Sequence, residues 1–359
     1  DLKLDEVDDY FAERCAPARG AVAPAETLGA GAIALYPIVF EDRTEIVWAS
    51  AGRIGGYVAP LGRDDLRREI TKLRYVIDLR LDGAPEPAAA LYDALIRPLE
   101  PELATAETLV IAPDGPLRSL PFATLWDGSR WLGEKVGLAT IRGLGLVEEG
   151  RHQLAEAPAL VAGAEEVGQG YAPLTAVPQE LANVAATLGA DVLEGQDFRA
   201  DVLASEIARR PYGVVHIATH AEFGATPSEN FILTTDGRLD VTRLEATMRA
   251  RAVQAGAPVD LLTLSACSTA ADVGGAAAEK APLGLAGVGF RSGARSVLAS
   301  LWPAEDAATA RLMSLFYEAL AEGAGRAEAL RRAQAALIAD PATAAPFLWA
   351  NFLLIGDWR

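Results

Sequence analysis

The hydrophobic pattern in the second half of the chain alternates between two kinds of segment. Short apolar runs with the residue types of strands occur at residues 159–163, 191–193, 213–219, 259–265 and 295–301. Stretches with helical spacing occur at residues 178–188, 199–209, 283–290, 306–321 and 326–338. Runs that are apolar at every position indicate strands covered on both faces. The alternation therefore predicts an α/β fold, a mostly parallel sheet covered by helices on both faces.

The first half has a less regular pattern. Its predicted elements occupy residues 32–40, 45–51, 57–60, 64–80, 87–96 and 109–112. The two segments 64–80 and 87–96 have helical spacing, and the others are short apolar runs. Polar residues at 41–43 and the pair Gly55-Gly56 divide the first three runs, which predicts a meander of strands.

A polar, charged stretch at residues 147–158 marks the junction between the halves. We therefore divide the chain into a lead-in segment at 1–28, a first half at 29–150 and a second half at 151–359. His152 lies at the margin of the first half, and Cys15, beside Pro17, is interpreted as incidental. We expect the chemistry to lie in the second half.

Composition and charge narrow the classes of function. The chain has 359 residues, of which 51% are hydrophobic and 23% charged, enough for two ordinary domains. The formal charge of −17 disfavours nucleic acid as a direct partner, because phosphate binding needs a surface rich in Lys and Arg. No apolar run approaches the roughly 18 residues of a membrane span, and the acidic start lacks the features of a signal peptide. We expect a cytoplasmic protein with no membrane partner, and a chain that begins at Asp1 leaves room for upstream sequence.

The cysteines limit the sites that the chain can form. Cys15 and Cys267 are too few for a disulfide framework, and no His/Cys spacing matches a zinc site. We expect no metal and no cofactor.

Two residues with the chemistry of a nucleophile and a base follow the ends of predicted strands. His220 comes where the run 213–219 gives way to a loop, and Cys267 follows the run 259–265. Ligands of open α/β sheets bind beyond the carboxyl ends of the strands, so the two residues meet at one edge if their strands are neighbours. His216 lies within its strand, and we expect it to be structural, buried with a hydrogen-bonded nitrogen.

The pair suits nucleophilic catalysis. A thiol with a pKa near ~8.5 is mostly protonated at neutral pH, and an adjacent imidazole takes its proton and later gives it to the leaving amine. Taken singly, Cys267 fits a small buried hydrophobe and His220 fits a structural histidine at a strand end. Their joint placement after two apolar strands favours catalysis.

Five segments carry a resemblance to a known family. They are TLVIAPDGPLRSLPFATLWDG, VVHIATHAEF, LLTLSACSTA, PLGLAGVGFRSGARSVLASLW with the trailing AEDAATARLMSLFYEAL, and LWANFLLIGDW. These segments resemble the CHAT family, the caspase-like peptidases related to separase, gingipains and caspases, over roughly residues 30–359. The resemblance implies a caspase-like fold, with a degenerate caspase-like half at 29–150 packed on an active half at 151–359. It also implies a cysteine endopeptidase that acts on a protein or peptide substrate.

The resemblance implies roles for single residues. His220, the second histidine of an HxxxH element, and Cys267, the cysteine of SAC, would be catalytic, as the strand ends also indicate. Backbone N–H groups of Ala221 and Cys267 would form an oxyanion hole. Many relatives have glycine at position 221, and alanine serves equally unless a positive φ is required there. Thr219 and Ser265 are candidates for a pocket wall, and each also fits a plain strand-end hydroxyl.

Two acids provide candidates for substrate recognition. Asp306 stands four positions after Trp302, as in separase-like relatives that cut after basic residues, and Glu305 is the alternate. The resemblance therefore implies a preference for Arg or Lys immediately before the scissile bond. Asp306 also fits a helix N-cap, Asp272 or Glu222 fits the recognition role, and a site without basic preference stays open.

The segment 272–282 is rich in glycine and alanine and leads directly from the proposed nucleophile. It is predicted to be a mobile loop that orders when substrate or an activating partner protein binds, with Lys280 as a cut site. A surface loop without a regulatory role fits the composition equally. The caspase-like relatives imply regulated proteolysis.

Two other functions are open. A catalytically quiet CHAT scaffold would bind a partner and transmit a signal, and the intact pair His220 and Cys267 argues against it. A hydrolase of small thioesters or amides would need an enclosed apolar pocket, whereas a peptidase needs an exposed strand edge.

Overall fold

The structure is a computed structural model. It describes residues 28–29, 31–80, 85–141, 154, 157–222, 230–255, 258–268, 292–302 and 305–359, with the backbone alone at 255 and 266–268. Its strands are β1 Ala32–Val39, β2 Thr44–Ser50, β3 Arg53–Ala59, β4 Thr108–Ile111, β5 Gly137–Thr140, β6 Ala159–Gly163, β7 Asp191–Glu194, β8 Val214–Glu222, β9 Phe231–Thr234, β10 Gly237–Asp240, β11 Leu261–Ser268, β12 Ser296–Ser300 and β13 Phe352–Gly356.

Described helices lie between six of the twelve consecutive strand pairs. They are α1 Arg63–Asp78, α2 Glu86–Leu95, α3 Glu100–Leu103, α4 Leu132–Lys135, α5 Val177–Leu188, α6 Ala200–Arg209, α7 Val241–Ala255, α8 Asp306–Ala321, α9 Arg326–Ala339 and α10 Pro346–Trp349. Short 3₁₀ turns occupy Arg97–Leu99, Gly115–Ser119, Phe122–Thr124 and Gly195–Asp197. None of the helices in the described ranges has the length and apolar character needed to cross a membrane.

One sheet contains all the strands. Its order is β10-β9-β8-β11-β12-β13-β5-β4-β1-β2-β3, and β6 pairs with both β8 and β7. The pairs β6-β8, β8-β11 and β11-β12 are parallel, as are β1-β4 and β4-β5. Antiparallel pairing occurs in the meander β1-β2-β3, in the hairpin β9-β10 and between β12 and β13. The predicted α/β class and mostly parallel sheet are confirmed.

Alternation along β8 divides the core of the second half between the two faces of the sheet. Val214 and Ala218 belong to a buried cluster that includes apolar side chains of α5, α8 and α9. Val215 and Ile217 belong to a second cluster, with side chains of α6 and α7. Both faces of the strand are thus covered, which explains why its sequence is apolar without alternation.

Several elements differ from the sequence-based prediction. The predicted break at Gly55-Gly56 is wrong, because both glycines lie within β3. A Cβ at Gly55 would lie 2.5 Å from the Trp48 ring, which is shorter than a van der Waals contact. Glycine is therefore required for β3 to lie this close to the ring. The sequence pattern also did not predict β5, β9, β10, β13 or α7. The predicted helix 283–290 and loop 272–282 lie outside the described residues.

A charged cluster anchors α4 in the first half. Lys135 Nζ lies 2.7 Å from Asp127 Oδ2 and 2.8 Å from the Tyr92 hydroxyl. Asp127 Oδ1 accepts the backbone N–H groups of Ser129 and Arg130, each at 2.7 Å. Burial disfavours the charged carboxylate, but the bonds from Lys135 and from these N–H groups outweigh it and hold the pKa of Asp127 well below its ordinary value.

We expect Asp127→Asn to lower the free energy of unfolding by about 2 kcal/mol, because a charge-assisted bond to a mostly buried lysine is lost. A depressed folded pKa contributes stability that is fully present above the unfolded value near ~4 and is lost progressively as pH falls from there towards the lower folded pKa, so the difference should be smaller at pH 3 than at pH 7. Urea unfolding at pH 7 and pH 3 measures both effects. Asp42→Asn, at a carboxylate 73% exposed, is the control and should change stability by less than about 0.5 kcal/mol. Equal effects of the two substitutions would contradict the assignment.

Candidate active site

His220 lies near the end of β8, within the strand. The sequence pattern predicted that the strand would end at residue 219, but pairing of Ala221 and Glu222 with β9 extends the ladder to Glu222. The His220 side chain is 8% exposed. It belongs to the same face as His216 and Ala218, because alternate residues of a strand share a face.

Cys267 lies beside His220 in the sheet. Strands β8 and β11 are parallel neighbours, and their register pairs Cys267 with His220. Both residues are next to the carboxyl ends of their strands. The structure therefore brings the two residues together at one edge of the sheet, as nucleophilic catalysis requires. Their catalytic roles stay a prediction.

The imidazole of His220 is oriented by a backbone group. Its Nε2 lies 2.8 Å from the carbonyl oxygen of Ala172. A carbonyl oxygen only accepts hydrogen bonds, so Nε2 carries the proton in this contact. In the neutral ring, Nδ1 is then the atom that accepts a proton, which is the state a general base needs.

The segment between β6 and α5 supplies this carbonyl. Leu174 donates its N–H to the carbonyl of Glu165 at 2.8 Å, which closes the segment into a compact loop. Tyr171 lies against the imidazole, with ring centroids 5.0 Å apart and planes inclined by 41°. The Tyr171 hydroxyl donates to Glu222 Oε1 at 2.5 Å.

His216 is part of a buried polar network, as the sequence predicted. Its Nε2 lies 2.9 Å from Glu180 Oε1, and its Nδ1 lies 3.2 Å from the Tyr317 hydroxyl. The same hydroxyl lies 2.7 Å from Thr263 Oγ1. All four side chains are buried, and they join β8 and β11 to helices α5 and α8. The network lies four residues before His220 on one strand and four before Cys267 on the other.

The two candidate recognition acids have different partners. Glu305 is the N-cap of α8, and its Oε2 accepts the N–H of Ala308 at 2.7 Å. Asp306 Oδ2 accepts the N–H of Ala176 at 2.6 Å and lies 3.4 Å from Thr175 Oγ1. Asp306 thus bridges the start of α8 to the start of α5. The capping role that the sequence allowed for Asp306 belongs to Glu305.

Burial affects the Asp306 carboxyl. The loss of hydration raises its pKa above the ordinary value, and the bond from Ala176 offsets this only in part. Among the described residues, the bonds to Asp306 from Ala176 and Thr175 both end on Oδ2.

The remaining candidates lie at different positions. Thr219 is fully buried on the face opposite His220, where its hydroxyl donates to the carbonyl of Leu233 at 2.7 Å, so the structure does not bring it to the site. Ser265 is 5% exposed and in register with Ala218, on the His220 side. Ala221 lies in β8 without a positive φ, so the expected difference from glycine has no conformational consequence there. Asp272 and Lys280 lie outside the described residues.

Sequence reasoning missed the groups around His220. The carbonyl of Ala172 has no residue-type signal, because every residue has one. Tyr171 follows Gly168-Gln169-Gly170, and these closely spaced glycines are a turn signal that could have drawn attention to the segment. Among the described residues, no group of three or more His, Cys, Asp or Glu side chains is arranged to hold a metal ion.

Known structures share the fold of this chain. The structure is similar to that of the Arg-specific cysteine proteinase gingipain R, with a TM-score of 0.50 and 10% identity over 81% of this chain and 75% of that chain. It is also similar to separase in two structures of the Saccharomyces cerevisiae separase–securin complex. The TM-scores are 0.55 and 0.60, with 6% and 8% identity, over 92% of this chain. This chain spans 30% of the separase chain.

The fold is therefore caspase-like, the α/β class shared by these cysteine peptidases. Residues 85–357 match the CHAT domain, so the chain belongs to the CHAT family. No match was found among curated proteins.

We expect His216→Ala to lower the free energy of unfolding by about 3 kcal/mol, because it leaves the buried Glu180 carboxyl without its partner. The folded variant should keep the rate at which iodoacetamide alkylates Cys267, measured by mass spectrometry of the Cys267 peptide. His216→Gln, which retains a donor, should recover part of the stability. A stable His216→Ala variant with a slowed alkylation rate would contradict the structural role.

Proposed function

We propose that this chain is a cysteine endopeptidase in which Cys267 is the nucleophile and His220 the general base. The observation that supports it most is the register of β8 and β11, which pairs these two residues at the carboxyl edge of the sheet. The Ala172 carbonyl supports it further, because it leaves His220 Nδ1 as the proton acceptor.

The proposed reaction has two stages. His220 takes the thiol proton as the sulfur of Cys267 attacks the scissile carbonyl, and the resulting imidazolium gives that proton to the leaving amine. This breaks the C–N bond and leaves a thioester on Cys267. A water molecule then attacks the thioester, again with His220 as the base, and releases the carboxylate product and the thiol.

Backbone N–H groups of Cys267 and Ala221 are the proposed oxyanion donors. Such donors contribute when they point to the position where negative charge develops, whatever side chain their residue has. Ala221 is in register with both Ser268 of β11 and Ile232 of β9, which gives its backbone a fixed position at the strand end.

The proposed substrate is a protein cut after Arg or Lys, with Asp306 as the recognition residue. The loop that holds Ala172 against His220 also holds Ala176 against Asp306. These two loop residues are four positions apart, so their backbones lie within about 14 Å. A half-buried carboxylate at this distance suits a long cationic side chain. Glu305 is the alternate, and Ser265 is a candidate for the pocket wall.

The first half is proposed to be a degenerate caspase-like half that supports the site. Residues 29–150 contain no histidine and no cysteine. Its strands continue the sheet of the second half through β13 and β5. We also propose that a partner protein activates the peptidase, so that its proteolysis is regulated.

We expect Cys267→Ala and His220→Ala each to reduce peptide hydrolysis by on the order of 10³-fold or more. Because the two residues act as a unit, the double variant should be no worse than either single one. Mass spectrometry of a proteome-derived peptide library incubated with wild type and with Cys267→Ala would show the cleavage sites. Cleavage that persists in Cys267→Ala would exclude the mechanism, and no cleavage by wild type would favour the scaffold function.

We expect Asp306→Asn to reduce kcat/KM by roughly 10²–10³ for Arg and Lys peptides and to leave matched Leu and Asp peptides nearly unchanged. The matched control is Asp201→Asn, at a carboxylate 59% exposed in the first turn of α6, which should leave the ranking of substrates unchanged. Glu305→Gln tests the alternate residue, and if Glu305 only caps α8 it should cost about 1 kcal/mol of stability without changing that ranking. An equal loss on all four peptides would show that Asp306 only bridges the helices.

A further inference from the structure

The loop between β6 and α5 has an unusual backbone. Gly168, Gln169 and Gly170 have φ values of 68°, 58° and 87°, three successive residues in the left-handed region. Among the described non-glycine residues, only Gln169 and Arg80 have positive φ. The Gln169 amide donates to the carbonyl of Val167 at 3.3 Å. A left-handed glutamine is maintained only where its surroundings determine the loop closely.

This backbone gives two adjacent residues two different contacts with one imidazole. The Ala172 carbonyl binds Nε2 at the ring edge, and the Tyr171 ring lies against the imidazole at 5.0 Å. One hydrogen bond fixes a single atom of a ring and leaves rotation about that contact. A second contact on another part of the ring removes this rotation, so Tyr171 restricts what Ala172 alone would leave free.

Glu222 fixes Tyr171 in turn. It lies two residues after His220 in β8, and alternate residues of a strand share a face. The phenol therefore extends along β8 from the imidazole to the Glu222 carboxylate, where its hydroxyl donates at 2.5 Å. This bond, aided by burial, raises the pKa of Tyr171, so the hydroxyl stays a donor at neutral pH.

We propose that Tyr171, held by Glu222, is a positioning residue that keeps the His220 ring in the orientation and tautomer in which Nδ1 accepts a proton. This rests on the proposed function for its effect on rate. The effect on the ring itself is independent of peptidase activity. The alternative is that Tyr171 only fills space, in which case its hydroxyl would be dispensable.

The first experiment observes the ring directly. The chain has three histidines, so ¹⁵N-histidine NMR resolves the His220 tautomer once His216→Gln and His220→Ala have assigned the signals. We expect wild type to carry the proton on Nε2 and Tyr171→Phe to show a mixture of tautomers. Glu222→Gln keeps an acceptor for the phenol and should retain the wild-type signal. The matched control is Tyr57→Phe in the first half, which removes a hydroxyl that donates to the Leu95 carbonyl at 2.6 Å.

The second experiment measures rates. We expect Tyr171→Phe to lower kcat about tenfold with KM within about twofold, and Tyr171→Leu to lower kcat about 100-fold, because small displacements of a base are costly. Glu222→Ala, which removes the acceptor of the phenol, should lower kcat about as much as Tyr171→Phe does, and Glu222→Gln should recover part of this loss. Iodoacetamide alkylation of Cys267 should follow the same order.

The outcomes separate the two proposals. If wild type cleaves no peptide and Tyr171→Phe still changes the His220 tautomer, the positioning role of Tyr171 is supported and the proposed peptidase function is contradicted. Tyr171→Phe that matches Tyr57→Phe in tautomer, in kcat and in Cys267 alkylation overturns the positioning role, whatever the activity. If Tyr171→Leu does not fold, Tyr171→Phe alone decides.

Discussion

The parallel pairing of β8 with β11 is the constraint on which the site depends. The two strands are in register from Leu261 and Val214 to Ser268 and Ala221. A slip of one residue would place His220 and position 267 on opposite faces of the sheet, and a slip of two would separate them by about 7 Å along the strands. The candidate dyad exists only in this register, so whatever fixes the register also fixes the chemistry.

The buried polar network around His216 stabilises the register of β8 and β11. His216 on β8 and Thr263 on β11 are register partners, and both contact the hydroxyl of Tyr317 from α8. In any other register one of these polar groups would lie buried without its partner, which costs more than a neutral hydrogen bond gains. An apolar core would tolerate a slip more easily than this network does. The first histidine of the HxxxH element thus adds stability to the alignment that the second histidine needs.

The sequence predicted the parts of the site that depend on hydrophobic pattern and residue type. Two apolar runs of a covered sheet ended at the same edge, which was enough to select His220 and Cys267. The sequence did not predict where β8 ends, because pairing with Ile232 of β9, later in the chain, extends the ladder. A hairpin signal for β9 and β10 was present, since Asp236-Gly237 lies between two apolar runs. The Ala172 carbonyl had no signal at all. The alternation of side chains along a strand does place Thr219 on the face opposite its neighbour His220.

The place of β13 in the sheet has a consequence for synthesis. It is the last strand of the sheet in chain order, yet it lies in the middle, between β12 and β5. Until residues 352–356 have left the ribosome, β12 lacks the antiparallel partner that β13 gives it, and β5 lacks its pair between Thr140 and Ile355. Such edges recruit other chains, so the nascent protein passes through a stage in which aggregation competes with closure. A premature stop a few codons before Phe352 would leave β12 without this partner, so the pairing of β12 is completed only when translation has passed Gly356.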